Sequence, residues 1–92
     1  MIDLHGKHAV VTGGGSGIGR GISEVLARAG ASVFVADIEL ASAELTIQTL
    51  AGDGQFLCYI VDVTETSSVN RMIESAIKAF GKIDILVNNA GI

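Results

Sequence analysis

The sequence of 92 residues predicts part of one α/β domain built on a doubly wound parallel sheet. Short β-branched runs alternate with longer segments in which apolar residues recur at helical spacing, and a glycine follows each helical segment. Strands joined through crossover helices pair in parallel, with right-handed crossovers. The order βαβαβαβ therefore predicts the spatial strand order 3-2-1-4, with a ligand-binding switch point between strands one and four.

Four short apolar runs predict the strands. Each is followed by a glycine or by a polar residue, as expected of strands buried in a parallel sheet. The runs cover residues 9–12, 32–36, 56–61 and 83–87. Asp37 directly follows the second run and Asp62 directly follows the third, so both carboxylates are expected at the carboxyl edge of the sheet.

Three segments have apolar residues at i, i+3, i+4 and i+7 spacing, which predicts three helices. They begin near residues 18, 40 and 69, and Gly30, Gly52 and Gly81 mark their ends. The apolar positions are Ile18, Ile22, Val25, Leu26 and Ala29; Ala43, Ile47 and Leu50; and Val69, Met72, Ile73, Ala76, Ile77 and Phe80. Right-handed crossovers place the first two helices on one face of the sheet and the third alone on the other, which leaves the second face half bare.

Composition excludes several classes of protein. The net charge is −4 and the six basic residues are scattered, so we expect no nucleic-acid partner and no anionic membrane surface. The apolar stretches are too short to span a bilayer, and the first residues lack a signal-peptide pattern. These features predict a cytoplasmic protein. The single cysteine, Cys58, lies in an apolar run and is expected to be a buried core thiol.

Residues 12–19, Thr-Gly-Gly-Gly-Ser-Gly-Ile-Gly, join strand one to helix one. Gly13 permits a tight turn, Gly17 lets a ligand approach the backbone, and Gly19 lets the helix lie close to the sheet. The N–H groups in the first turn of a helix lack internal partners and carry the positive end of its dipole. We therefore expect Gly13, Ser16, Gly17, Ile18 and Gly19 to bind a dinucleotide pyrophosphate, the alternative being a glycine-rich turn without a ligand.

The spacing of this loop excludes two related nucleotide loops. G-x-G-x-x-G is absent, because every possible start meets another residue at the sixth place. A triphosphate loop, G-x-x-x-x-G-K-[ST], fits as far as Gly19, but Arg20 and Gly21 replace its lysine and hydroxyl. The remaining pattern, T-G-x-x-x-G-x-G, resembles the short-chain dehydrogenase/reductase family. The extended, epimerase-like members of that family would need glycine in place of Ser16.

The resemblance implies a Rossmann-like fold and an NAD(P)-dependent oxidoreductase that moves hydride between nicotinamide and the carbon of an alcohol or ketone. Asp37 stands 24 residues after Gly13. A carboxylate there accepts hydrogen bonds from the ribose hydroxyls of NAD and repels the 2′-phosphate of NADP. Family members that use NADP usually have a basic residue at the position of Ser16 or Ile38, and neither is basic here. We therefore expect NAD rather than NADP; a solvated or capping role is the alternative for Asp37.

Asp62 and Val63 come directly after the third predicted strand. In the family that this chain resembles, the aspartate contacts the adenine amino group and the next backbone N–H contacts the ring. The alternative is an N-cap for helix three that Asp62 shares with Thr64. The two roles are compatible.

Residues 88–91, Asn-Asn-Ala-Gly, match the N-N-A-G motif of the family. There, this segment holds the central sheet together and lines the adenosine–ribose side of the cofactor cleft. The resemblance implies that Thr12 and Asn88 are structural, that Asn89, Ala90 and Gly91 bind cofactor, and that the Thr12 hydroxyl bonds the Ala90 backbone. Simple turn chemistry is the alternative.

The family also needs a serine and a tyrosine followed four residues later by lysine, and this chain has none of these catalytic residues. Its only tyrosine, Tyr59, lacks the lysine four residues later, because position 63 is valine. Tyr59 lies within the predicted third strand, so it is expected to pack in the core. We therefore expect an amino-terminal portion of a single NAD(P)-binding domain, inactive alone and without a metal. The complete protein is expected to be a homo-oligomer acting on a small alcohol or ketone. A non-catalytic dinucleotide-binding module or a remnant is the alternative.

Overall fold

Four parallel strands form one sheet in the order β3-β2-β1-β4, as predicted. The computed structural model describes residues 2–90. The strands are β1 (His8–Thr12), β2 (Ser32–Asp37), β3 (Phe56–Ile60) and β4 (Ile85–Asn88). The helices are α1 (Gly17–Arg28), α2 (Leu40–Thr49) and α3 (Thr66–Phe80). Their order confirms the predicted βαβαβαβ pattern.

The register of the sheet brings the carboxyl ends of the strands level with one another. Thr12, the last residue of β1, pairs with Ala36 of β2 and with Asn88 of β4. Asp37 pairs with Ile60 at the end of β3. The loops that follow all four strands therefore begin along one edge of the sheet.

Alternate residues of the central strands enter two separate cores. Val11, Val33 and Val35 face α1 and α2, and they pack with Ala27 and Ala43. On the other face Val10, Phe34 and Ala36 pack with Met72 and Ala76 of α3. Helices one and two therefore lie on one face and helix three on the other, as the right-handed crossovers predicted.

Helix α1 differs in part from its predicted core face, although Ile22 and Leu26 of the apolar stripe pack against the core. Its buried residues are Gly19, Ser23 and Ala27, whereas Ile18 and Val25 of the apolar stripe are 73% and 62% exposed. The physical reason is the close approach of α1 to the loop before it, where a Cβ on Gly19 would collide with the Gly13 carbonyl oxygen. Small residues must face the sheet where two backbones come this close, so the bulky apolar stripe turns partly outward.

Strand ends differ from the prediction by one or two residues. β1 begins at His8 and β4 begins at Ile85. Asp84, the residue before β4, forms two hydrogen bonds with His8, and these bonds join the starts of the two strands. The Asp84 N–H donates to His8 O at 2.8 Å, and the His8 N–H donates to Asp84 Oδ2 at 2.8 Å. β3 ends at Ile60, so the predicted residue Val61 lies just beyond it, and its N–H donates to Asp37 O at 3.0 Å.

The α3 side of the sheet is partly uncovered beside β4, as the crossover argument predicted. Leu86 shares a face with its β1 neighbour Val10, but Leu86 is 56% exposed while Val10 is fully buried. Among residues 2–90, β4 pairs with β1 alone. None of the helices in this range has the length and apolar character needed to cross a membrane.

Candidate functional site

The glycine-rich loop leaves β1 in a sharp turn. Gly13 has φ +66°, a backbone conformation that residues with a Cβ rarely adopt. The Gly14 N–H donates to Ala36 O at 3.1 Å, which keeps the turn against the end of β2. The chain therefore reverses at the carboxyl edge of the sheet and enters α1 there.

The first turn of α1 faces solvent. Ser16 is the N-cap residue, it has an extended backbone, and its side chain makes no capping hydrogen bond. Ser16, Gly17 and Ile18 are all exposed. The first N–H groups of α1 thus lack a side-chain cap, and a helix end of this kind suits an anion such as a pyrophosphate.

Asp37 lies beside this loop with both carboxylate oxygens in use. Oδ2 accepts the Gly15 N–H at 2.9 Å and Oδ1 accepts the Glu39 N–H at 2.9 Å. A carboxylate offers about four acceptor positions, so Asp37 retains two for a ligand. The side chain is consequently held in place without being saturated.

Asp62 does not cap helix three, so that interpretation is wrong. α3 begins at Thr66, and its N-cap residue is Glu65. Asp62 Oδ1 instead accepts the Thr64 hydroxyl at 2.6 Å and the Thr64 N–H at 3.0 Å. These two bonds, the hydroxyl first, lower the pKa of the Asp62 carboxyl below its ordinary value of 3.8. Asp62 therefore remains an ionised acceptor at neutral pH.

Thr12 joins β1 to the segment after β4, and the bond implied by the resemblance is present. The Ala90 N–H donates to Thr12 Oγ1 at 3.3 Å. The Thr12 hydroxyl lies 3.2 Å from Asn88 Oδ1 and 3.3 Å from Val87 O, and its single proton serves one of these acceptors at a time. Asn89 Nδ2 donates to Gly13 O at 3.2 Å. Gly91 lies outside the described residues.

Six of the predicted site residues line one cleft of about 280 Å³ at the carboxyl edge of the sheet. They are Gly13, Asp37, Ile38, Asp62, Val63 and Ala90. Val61 and Thr64 complete the lining. Asn88 instead lines a groove between α3 and β4 with Leu86 and Met72. The predicted residues outside the cleft lining are Thr12, Ser16, Gly17, Ile18, Gly19, Asn88 and Asn89.

Two residues that contact the glycine loop, Thr46 and Arg20, were missed by sequence reasoning. Thr46 Oγ1 donates to Gly14 O at 2.8 Å, and Arg20 Nη2 donates to Gly15 O at 2.8 Å. One signal was available in the sequence, because Thr46 is a polar residue next to Ile47 on the predicted inward face of helix two. A buried polar group on such a face needs a partner, and Thr46 is fully buried.

Tyr59 and Cys58 lie on opposite faces of β3. The Tyr59 ring packs against Phe34 with centroids 5.5 Å apart, which confirms its predicted packing role. Cys58 packs against the α1–α2 core but is only partly buried, because β3 has a neighbour on one side only within the described sheet. Residues 2–90 bring together no group of three His, Cys, Asp or Glu side chains that could hold a metal ion.

The strand order, the two-sided helix layers and the glycine loop at the carboxyl edge define a Rossmann-like α/β fold. A family model described as short chain dehydrogenase matches residues 7–92. This chain belongs to the short-chain dehydrogenase family.

Individual relatives agree with this assignment. The chain is 45% identical over 91 residues to 7alpha-hydroxysteroid dehydrogenase of Escherichia coli (strain K12), covering 96% of this chain and 35% of that protein. A crystal structure of hydroxysteroid dehydrogenase from Escherichia coli has a TM-score of 0.91 and 42% identity, covering 97% of this chain and 37% of that one. The 3-ketoacyl-(acyl-carrier-protein) reductase from Brucella melitensis, solved with NADH, has a TM-score of 0.90 and 42% identity over 98% and 36% of the two chains. The chain spans 35–36% of the length of such curated relatives.

Proposed function

We propose that this chain forms the NAD-binding part of an oxidoreductase that transfers hydride between nicotinamide and the carbon of an alcohol or ketone. The observation that carries the proposal is the cleft between the glycine loop, Asp37 and Asp62. It lies at the switch point of a doubly wound sheet, where such folds bind ligands. The NADH complex of the Brucella melitensis reductase supports the class of cofactor.

Each part of the cofactor has a matching group in the proposed site. The pyrophosphate is placed at the uncapped start of α1, against Gly17, Ile18 and Gly19, with Gly13 and Ser16 in the turn before it. The adenine amino group, which is a donor, is placed against the ionised Asp62, with Val63 beside the ring. Asn89, Ala90 and Gly91 are assigned to the ribose side.

We propose NAD rather than NADP because of Asp37. Its two remaining acceptor positions match the two hydroxyls of the adenosine ribose of NAD, whereas a 2′-phosphate on that ribose would bring like charges together. Neither Ser16 nor Ile38 supplies a positive charge to offset that repulsion. The selectivity therefore depends on one carboxylate.

The rest of the whole protein would supply the proton-transfer groups and most of the substrate pocket. The matched hydroxysteroid dehydrogenases support a secondary alcohol or ketone as the reacting group. NAD supplies or accepts the hydride when bound, and the residues of this chain hold its adenosine and pyrophosphate. We further propose a cytoplasmic homo-oligomer for the complete protein.

Cofactor binding by the full-length protein tests the proposal. Dissociation constants for NADH and NADPH are measured by nicotinamide fluorescence in wild type, in Asp37→Ala and in Asp53→Ala, a control at an exposed aspartate. We expect wild type and the control to prefer NADH, and Asp37→Ala to lose most of that preference. Equal binding of the two cofactors by wild type, or an unchanged preference in Asp37→Ala, would overturn the role of Asp37.

A non-catalytic dinucleotide-binding module is the second candidate. In residues 2–90, Tyr59 packs against Phe34, so this part of the chain holds the cofactor cleft without contributing a tyrosine to it. Turnover separates the two candidates. A full-length protein that binds NADH but oxidises it with none of a panel of hydroxysteroids and short ketones supports the module.

A further inference from the structure

The peptide group between Gly14 and Gly15 is held at both of its ends. Its carbonyl oxygen accepts the Thr46 hydroxyl at 2.8 Å, and its N–H donates to Asp37 Oδ2 at 2.9 Å. The C=O and N–H of a trans peptide point in opposite directions within one plane. A contact that fixes the carbonyl therefore also fixes the direction in which the N–H meets the Asp37 carboxylate.

The hydrogen bond from Arg20 determines which group receives the proton of the Thr46 hydroxyl. Arg20 Nε donates to Thr46 Oγ1 at 3.0 Å, while Arg20 Nη2 donates to Gly15 O at 2.8 Å. A guanidinium has donors only, and a hydroxyl has one proton. Thr46 consequently accepts from Arg20 and keeps its own proton for Gly14 O. The hydrogen bonds from Arg20 Nε through Thr46 and the Gly14–Gly15 peptide all point toward the Asp37 carboxylate, and aligned bonds of this kind polarise one another.

Burial and packing leave this arrangement little freedom. Thr46 is fully buried, so its hydroxyl has no water to bond instead. A Cβ on Gly15 would lie 2.6 Å from Ser42 Cβ and 2.7 Å from Asp37 Oδ2. The loop is therefore in direct contact with both the carboxylate and α2, and a shift of the loop would move Asp37.

We propose that Arg20 and Thr46 are positioning residues that set NAD selectivity by fixing the Asp37 carboxylate, an inference that rests on the proposed function. Neither residue lines the cleft, so both act through the Gly14–Gly15 peptide. A fixed carboxylate presents its free acceptor positions to the ribose hydroxyls and cannot rotate away from a 2′-phosphate. Loosening it weakens NAD binding and at the same time reduces the repulsion of NADP.

Conservative variants of the full-length protein test this inference. Arg20→Lys keeps the charge but loses the fork that bridges two acceptors, and Thr46→Val keeps the shape but loses the hydroxyl. Thr46→Ser retains the hydroxyl, and Arg28→Lys changes an exposed arginine on the same helix. The measured quantities are dissociation constants for NADH and NADPH, melting temperature, and KM for NADH against kcat.

We expect Arg20→Lys and Thr46→Val to bind NADH about three- to tenfold more weakly, the equivalent of one lost hydrogen bond. The NADH-over-NADPH preference falls in both, KM for NADH rises, and kcat at saturating cofactor is unchanged. Thr46→Ser and Arg28→Lys behave as wild type.

A lower melting temperature with an unchanged ratio of the two dissociation constants would assign a merely structural role and overturn the inference. If Thr46→Val fails to fold, Arg20→Lys alone decides the question in the same way. A wild-type protein that binds neither cofactor contradicts the proposed function itself, and this outcome is distinguishable because it precedes any variant.

Discussion

Asp37 is the last residue of β2 and Asp62 lies just beyond the neighbouring strand β3. Each accepts the N–H of the residue two positions later, Glu39 or Thr64. Such local bonds hold a short acidic side chain without burying it. Their position at strand ends could be predicted from the sequence. Their local hydrogen bonds could not be predicted. An aspartate before a helix can accept an N–H of the first helical turn, as a cap, or an N–H of its own turn equally well. In the structure Asp62 bonds within its own turn, because α3 begins only at Thr66.

Thr64→Val tests the local bond at Asp62. The Thr64 hydroxyl favours the ionised carboxylate, so its removal should raise the pKa of Asp62 back toward 3.8, as measured by carbon-13 NMR titration of the side-chain carboxyl. A pKa lowered by folding contributes stability above the unfolded value and loses it as the pH falls through the folded pKa. The stability difference between wild type and Thr64→Val should thus be complete above about pH 4 and vanish on further acidification.

Thr66→Val, at the exposed first residue of α3, is the matched control and should leave that pKa unchanged. An Asp62 pKa that does not move in Thr64→Val contradicts the role given to the hydroxyl.

At the scale of single elements, helix α1 shows which sequence patterns are informative. Its helical spacing, its start in the glycine loop and its end before Gly30 could all be predicted. Its buried face could be predicted only in part, because a hydrophobic stripe predicts burial only where there is room for bulky side chains. The contact of Gly19 with the Gly13 backbone removes that room, and Ser23 and Ala27 face the sheet instead.

Two glycines of α1 provide a matched pair of variants. Gly19→Ala places a Cβ against Gly13 O and should cost about 1–3 kcal/mol of unfolding free energy, as overpacking does, together with weaker NADH binding. Gly21→Ala meets nothing within 4 Å and should stabilise the helix by about 0.5–1 kcal/mol. Urea unfolding of the full-length variants measures both. Equal stability of the two variants would contradict the proposed close approach.

The link between β1 and the segment after β4 has its own test. Thr12→Val removes the hydroxyl that accepts the Ala90 N–H and leaves this N–H without its partner, which should cost about 1–3 kcal/mol. Thr12→Ser keeps the hydroxyl and should lose markedly less. Denaturant unfolding separates the two, and a Thr12→Val variant as stable as Thr12→Ser would show that the bond contributes nothing.

At the scale of the whole molecule, strand order and helix sides follow from two general rules, parallel pairing and right-handed crossovers, so they could be predicted. The Arg20–Thr46 contacts could not, because they join residues of two helices through the backbone of a loop and leave no periodic pattern. The cleft itself was only half predicted. The sequence identifies the strand ends that contribute to it, but the register decides which side chains meet there.

The uncovered apolar surface has a consequence for the 92-residue chain on its own. Val25 is 62% exposed on α1 and Leu86 is 56% exposed on β4. Exposed apolar surface favours association, and at Leu86 it lies on a strand that has one neighbour within the described sheet. We expect the isolated chain to self-associate with rising concentration in light scattering, and Val25→Lys with Leu86→Lys to reduce that association. A monomeric chain that unfolds cooperatively would contradict this expectation.

We propose that the carboxyl edge of this sheet binds the adenosine and pyrophosphate of NAD. Hydrogen–deuterium exchange of the full-length protein with and without saturating NADH tests it most directly. We predict slower exchange in the peptides that contain residues 13–19, 37–39, 62–64 and 89–90, and no change at the opposite edge around Lys7 and Asp84. Unchanged exchange in all four segments under saturating NADH, or protection at the opposite edge instead, would contradict the claim.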